Sequence, residues 1–284
     1  MRTKAILAII AMALFSLLAA PAWAATVGSP YYNAVRADNP LVYYGFDEAA
    51  GPTATDLSVN GRNGTYGNTY TLNQASAYTG LGTGVLFNGG NVAVPALGGV
   101  YSSLTLEYWI KPTDLGGGGF RTLYNRDGWN TGWVHNHLWA GGAGGASKPM
   151  EFSLAGANPT DQFPTGAIQL NTWQHVALVY DASAKTIMQY LNGVAQNPVT
   201  TYTTALSADL SGTGHIGQWD GSSRPYLGSM DEFAVYGTAL TATQISAHYS
   251  ASTQTANLDV PEPATMALMG LCLAGLGRYV RRRR

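Results

Sequence analysis

The 284-residue chain has a single cysteine, Cys272, close to its C-terminus. Everything before it lacks a thiol. That excludes disulfides, cysteine metal ligands and a cysteine nucleophile from the body of the protein. Charge is scarce as well: Asp, Glu, Lys and Arg make up 11% of the residues, against about 25% in an ordinary soluble chain. Positive charge is scarcest in the middle. Of 15 Lys and Arg, Arg2 and Lys4 lie at one end, and Arg278 and Arg281 to Arg284 at the other. The eight that remain face all 16 acids, which lie between Asp38 and Glu262, so the stretch between the two ends carries −8. Such a body repels polyanions unless a cation bridges them. Nucleic acid is therefore not an expected partner, and neutral ligands or hard cations suit it better. No Gly-Lys-Ser/Thr phosphate loop, His-Glu-x-x-His or Gly-x-Ser-x-Gly occurs. Gly116 to Gly119 have no basic residue after them and read as a flexible loop, not a phosphate cradle.

What is present begins at the two ends. Arg2 and Lys4 precede an apolar run from Ile6 to Ala20, and Ala22-Trp23-Ala24 is a small-x-small cleavage site. Residues 1–24 read as a signal peptide cut after Ala24 by signal peptidase. At the other end, Val260-Pro261-Glu262-Pro263 leads into an apolar run, Ala264 to Gly277, and then the arginines. The run is shorter than the roughly 20 residues of a comfortable membrane span. The arginines favour the cytoplasmic side. This order of motif, apolar run and basic stop closely resembles the PEP-CTERM sorting signal of Gram-negative bacteria. The resemblance implies that an exosortase recognises Pro261, Glu262 and Pro263 and removes the tail during export, so that contact with the inner membrane is transient. A plain C-terminal anchor is the alternative.

Between the ends, short alternating segments rich in Thr, Tyr and Trp recur between Gly and Asn turns, the pattern of an all-β sandwich or barrel. Strands are expected at Leu41–Phe46, Val85–Phe87, Leu104–Lys111, Arg121–Tyr124, Glu151–Leu154, Trp173–Tyr180, Thr186–Leu191 and Tyr226–Tyr236. In Leu104–Lys111, Leu104, Leu106, Tyr108 and Ile110 share one face, and Thr105, Glu107, Trp109 and Lys111 the other. Asn192-Gly193 signals a type I′ hairpin. Thr241-Ala242-Thr243-Gln244 reads as a capping box that starts one helix, with Ile245 and Tyr249 docking on a sheet. The chain divides into a loose leader at 25–39, one domain at 40–249, a polar linker at 250–259 and the sorting segment at 260–284.

Several segments together resemble laminin-G-like domains of the concanavalin A-like group. They are Leu41 to Glu48 with Asp56 to Tyr66, Leu104 to Pro112, Trp173 to Asp181 with Tyr190 to Gly193, and Ile216-Gly217 with Tyr226 to Tyr236 and Leu240 to Ile245. The resemblance implies a two-sheet antiparallel jelly-roll sandwich. It adds one short C-terminal helix to the body, beside an N-terminal signal helix and a C-terminal hydrophobic helix.

Glycoside hydrolases of that group carry Glu-x-Asp-x-x-Glu on one strand, and this chain has no such motif. Glu107 stands alone on its strand and reads as a polar residue of the sandwich surface, so no enzyme is expected. For calcium, which takes about six to eight oxygens, the resemblance points to Asp231 and Asp47, with Asp56 and Asn60 able to add donors. Turn and strand-end carboxylates that only bond backbone N–H groups are the alternative. The third constellation is aromatic. Trp129, Trp133 and Trp139 lie among Asn125, Asp127, Asn130, His135, Asn136 and His137, with Trp219 and Asp220 in another loop. Exposed Trp beside Asn and Asp suits sugar: the ring stacks on C–H faces while amides and carboxylates bond hydroxyls. The competing reading packs these rings under the long loop; Trp129 is the best surface candidate. His135 and His137 with Asp127 make a weak zinc pattern; ordinary polar histidines explain them better. The sequence thus predicts an exported, non-catalytic binding protein of the cell surface or matrix, with a glycan or other extracellular polymer as its ligand. The rivals are a structural surface protein of biofilm type with no sugar site, a protein-adhesion module with an apolar patch, and a glycoside hydrolase whose two carboxylates come from separate strands.

Overall fold

The computed structural model describes residues 27–196 and 200–254. The expected signal peptide and sorting tail lie outside them. The first finding corrects the loose leader expected at 25–39. Pro30–Ala37 form a helix, α1, capped by Ser29, whose hydroxyl accepts from the Tyr32 N–H at 3.1 Å. Pro30 occupies the first turn, where a missing N–H costs nothing. Tyr31 and Val35, four apart, are fully buried, so the helix belongs to the body.

Eleven strands carry the fold: β1 (Val42–Tyr44), β2 (Gly64–Ala75), β3 (Thr83–Val94), β4 (Ser103–Pro112), β5 (Arg121–Arg126), β6 (Val134–Leu138), β7 (Met150–Leu154), β8 (Gln174–Asp181), β9 (Thr186–Leu191), β10 (Gly214–Ile216) and β11 (Leu227–Tyr236). A second helix, α2 (Ala242–Ser252), follows. The pairing order is β7-β6-β5-β10-β3-β11-β4-β8-β9, with β1 on β11 and β2 on β3. These pairs are antiparallel. The hairpin of β9 with Val194–Ala195 turns at Asn192 and Gly193, both with positive φ (51° and 76°), as the Asn-Gly signal requires.

The path curls until its two arms face each other. Tyr108 of β4 stacks on Phe233 at 5.9 Å and donates its hydroxyl to Asn136 Oδ1 on β6 at 2.5 Å. Phe152 of β7 stacks on Tyr180 of β8 at 5.6 Å. Between the arms lies the main core, which takes Leu104, Leu106, Tyr108 and Ile110, the apolar face of β4. Each large side chain buried there contributes about 1.5–3 kcal/mol. The result is the jelly-roll-like antiparallel sandwich expected from the sequence.

The other face of β4 is covered too. Tyr31 and Val35 of α1 and Ile245 of α2 pack with Trp109, Ala177 and Tyr236 into a second core outside the sheet. The capping box of α2 forms as expected: Thr241 Oγ1 accepts from the Gln244 N–H, and Gln244 Oε1 from the Thr241 N–H at 2.9 Å. Because both helices lie on this face, Glu107 is not a surface residue but is fully buried. Its carboxylate meets His175 Nε2 at 2.8 Å and His248 Nδ1 at 3.0 Å, and accepts from the Tyr236 hydroxyl at 2.9 Å. His248 Nε2 lies 3.0 Å from Asp38, the C-cap of α1. Burial raises the Glu107 pKa, but the two histidines outweigh it and hold the carboxyl well below the usual range. Burial lowers the pKa of His248; Glu107 and Asp38 more than reverse that.

Candidate functional site

The sheet face behind the other arm is polar. Strand alternation turns Val134, Asn136 and Leu138 inward and His135 and His137 outward. Asn125 lies opposite both His135 and His215, and Glu151 opposite His137. Asn125, His135, His137 and Glu151 are nonetheless buried, because two loops fold over them. One loop carries Trp129, whose ring stacks on His135 at 4.6 Å and 21°. The other carries Trp219, whose ring lies 4.5 Å from His135 and 5.7 Å from His137. The two indoles are 6.3 Å apart. Trp129 is 50% exposed and Trp219 half-buried, so together they form a ledge with one open edge.

Hydrogen bonds clasp the loops to each other. Asp220 Oδ1 accepts from the Gly128 N–H at 3.0 Å and from Asn125 Nδ2 at 3.4 Å. Asp127 accepts from the Thr213 hydroxyl at 2.8 Å, and His215 Nδ1 lies 2.7 Å from its other oxygen. Burial raises the Asp127 pKa, but the His215 and Thr213 bonds outweigh it and leave it below the ordinary carboxylate value. Gly221, at φ 71°, lets the second loop close down: a Cβ there would sit 2.9 Å from the His215 ring. Past it, the Arg224 guanidinium lies over Trp219 at 4.3 Å and over Phe120 at 4.5 Å.

Beneath the ledge the charges are quenched. His137 Nδ1 lies 2.7 Å from Glu151 Oε2 in full burial. Burial pushes the Glu151 pKa well up and the His137 pKa well down, so burial favours the uncharged form of each. Burial likewise lowers His135, to about 4. Thr122 Oγ1, Asn125 Oδ1, His135 Nδ1, His137 Nε2 and Glu151 Oε1 make no hydrogen bond among the described residues.

The structure therefore brings Trp129, Trp219, Asn125 and Asp127 together, with Asn130 exposed next to Trp129 in the chain. Trp133 does not join them. It packs against the Gly128 backbone, under Arg126 at 3.7 Å, with its indole N–H 3.3 Å from Asp209. Trp139 packs on Phe120 at 4.2 Å. Phe120 and Arg224 are the neighbours that sequence reasoning missed. Nothing in the local sequence marks them, since only the fold places them beside Trp219.

Residues 87–246 match the family model for the concanavalin A-like lectin/glucanases superfamily. The chain belongs to that superfamily. Residues 259–284 match the PEP-CTERM protein-sorting motif. A comparison with the curated proteins finds no match. Among solved structures, the chain is similar to domain 4 of an extracellular GH43 arabinanase from Geobacillus stearothermophilus, in complex with arabinotriose. The identity is 20%, with 74% of this chain and 98% of that one covered, at a TM-score of 0.56. It is also similar to the binding domain of Paraclostridial Mosquitocidal Protein 1, at 15% identity and a TM-score of 0.56, covering 75% of this chain and 52% of that one. A third is the botulinum neurotoxin serotype D binding domain in complex with N-acetylneuraminic acid, at 15% identity and 0.53, covering 80% and 52%. The chain thus spans about half of the two toxin domains. Identities this low establish the shared fold.

The four donors expected for calcium in a domain of this superfamily are divided between two tasks. Asp56 accepts four hydrogen bonds, from the N–H groups of Tyr43, Ser58 and Arg62 and the Ser58 hydroxyl, at 2.7–3.0 Å. Asn60 Nδ2 donates to the carbonyls of Pro40 and Leu41 at 3.1 Å. Both hold the turn after β1. Asp47 accepts from the Thr83 N–H at 2.6 Å. Asp231 is fully buried and takes the Ser76 hydroxyl on one oxygen, while its Oδ1 has no hydrogen-bond partner among the described residues. Burial, then Glu232, raise the Asp231 pKa well above the carboxylate range, and Asp47 adds to the effect. Among the described residues, no three His, Cys, Asp or Glu are grouped to hold a metal ion.

Proposed function

We propose that this is an exported, non-catalytic carbohydrate-binding protein that works at the cell surface or outside the cell. The observation that carries the reading is the Trp129–Trp219 ledge. An exposed indole is fixed by stacking on a buried histidine, with Asn125, Asp127 and Asp220 beside it. Pre-fixed aromatic rings lose little entropy when a pyranose stacks on them, and adjacent amides and carboxylates bond its hydroxyls. The arabinotriose and N-acetylneuraminic acid complexes of its structural neighbours are consistent with a saccharide-binding role. Glu107, the isolated acid of β4, is enclosed by two histidines and a tyrosine, which favours a non-catalytic role. The sorting motif favours export, with signal peptidase and exosortase as processing partners and only passing contact with the inner membrane. Calcium is part of this proposal as a structural ion at Asp47 and Asp231, where a cation would satisfy the buried Asp231 Oδ1.

The test is a glycan-array screen of the purified full-length protein and its Trp129→Ala variant, each with calcium and with chelator. Specific binding lost in Trp129→Ala supports the reading. Absence of binding by a folded sample in both conditions overturns it and favours a structural surface protein.

A further inference from the structure

We infer that the Trp129–Trp219 ledge selects an acidic sugar, with the Arg224 guanidinium as the group that receives the ligand's carboxylate. The inference rests on the glycan-binding reading above and names the chemical class of the ligand.

The cations around the site are not equivalent. Arg121 bonds Asp114 at 2.6 Å. Arg126 lies over Trp133 and donates to the Asp127 carbonyl at 3.2 Å. Arg224 is held over two rings, Trp219 and Phe120, and has no hydrogen-bond acceptor or carboxylate partner among the described residues. It is also half-buried. A guanidinium partly removed from water gains from an anion, and a carboxylate matches its N–H fork bidentately. The two rings hold the group in place, and its side-chain N–H donors meet no acceptor among the described residues. The rings that hold it include one of the two that form the ledge, so a sugar stacked there lies beside the guanidinium.

The nearby acids do not answer this charge. Asp127 is engaged by His215, Thr213 and Asn125. Asp220 is engaged by Gly128 and Asn125. Glu151, beneath the ledge, is engaged by His137 at 2.7 Å, and burial raises its pKa more than Arg224 lowers it. The net −8 of the body acts against a long polyanion, but at physiological salt exposed charges are screened beyond about 8 Å. The local guanidinium therefore decides the fate of a single carboxylate.

The experiment is calorimetric titration of the full-length protein with oligogalacturonate, oligoglucuronate and oligomannuronate, each paired with its carboxyl-reduced form. Arg224→Gln and Trp129→Ala are titrated in parallel, and thermal melts confirm folding. The expected result is that at least one acidic oligomer binds tenfold or more tighter than its reduced twin. Arg224→Gln then removes that preference, so that within the variant the acidic oligomer and its reduced twin bind equally. Equal affinity for both members of every pair, lost in Trp129→Ala, overturns this inference and leaves the glycan reading standing. A preference that survives in Arg224→Gln also overturns it. No binding of any oligomer overturns this inference, while the glycan array decides the wider reading.

Discussion

Glu107, in the middle of the sheet, and His248, on the last helix, meet in full burial at 3.0 Å. The contact joins residues 141 positions apart and fixes α2 to β4. Breaking a buried ionic pair by removing one partner costs about 3–5 kcal/mol, because the other charge is left stranded. Glu107→Gln should lower stability by about that amount at pH 6, read as a shift in the urea midpoint.

The same contact sets a pH window. The depressed pKa of Glu107 contributes stability that is present above the unfolded value of about 4.3 and is lost as the pH falls. The raised pKa of His248 contributes stability that is present below about 6.5 and is lost as the pH rises through its folded value. The cluster is therefore strongest between about pH 4.3 and 6.5. Denaturant melts across pH 3–9 should show His248→Gln flattening the alkaline limb of the stability profile.

The second buried glutamate behaves oppositely. Burial raises the pKa of Glu151 and lowers that of His137, so folding favours the uncharged form of each. Its raised pKa contributes stability only below about 4.3, and that contribution is lost as the pH rises. At pH 7 glutamine mimics the protonated acid without the cost of protonating it. Glu151→Gln should be neutral or stabilising there, within about 1 kcal/mol. A loss as large as that of Glu107→Gln would show that Glu151 is ionised.

Calcium should raise the melting temperature if Asp47 and Asp231 hold it. At one hundred times its dissociation constant an ion adds about 2.7 kcal/mol, or roughly 5–10 °C for a domain of this size. Asp231→Asn should abolish the response. A melting curve unmoved by calcium or chelator counts against the site.

The capping box offers a smaller, local test. Thr241→Ala removes the oxygen that accepts the Gln244 N–H and should cost about 1 kcal/mol. Circular-dichroism melts would register it.

How much of this was legible in the sequence follows from what each element buries. β4 and β9 alternate against a core, and their expected and observed limits agree to within a residue. β2 escaped notice because Gly64 and Tyr66 are its only buried residues, so its run of Asn, Thr and Gln shows no period. α1 was missed because eight residues carry too few apolar positions to stand out, although Ser29-Pro30 is a helix-start signal. Glu107 was misplaced for the same reason: without α1, nothing covers the second face of β4. At the site, the sequence identified the Trp-rich loops and Trp129 as the best surface candidate, but not that Trp133 and Trp139 would pack away from it. That division depends on Gly128, Arg126 and Phe120, whose contacts are set by pairing between distant strands.

The position of His248 has a mechanical side. The chain leaves the described body just beyond α2, at Gln254. A pull on the exported domain through its tail reaches that helix before it reaches any strand. Tyr249 stacked on Trp109 and His248 locked between Glu107 and Asp38 form the grip that takes the load. While that grip holds, the sheet is shielded from force; once it peels, the second core opens first, and the Trp129–Trp219 ledge on the opposite arm is the last part to feel it.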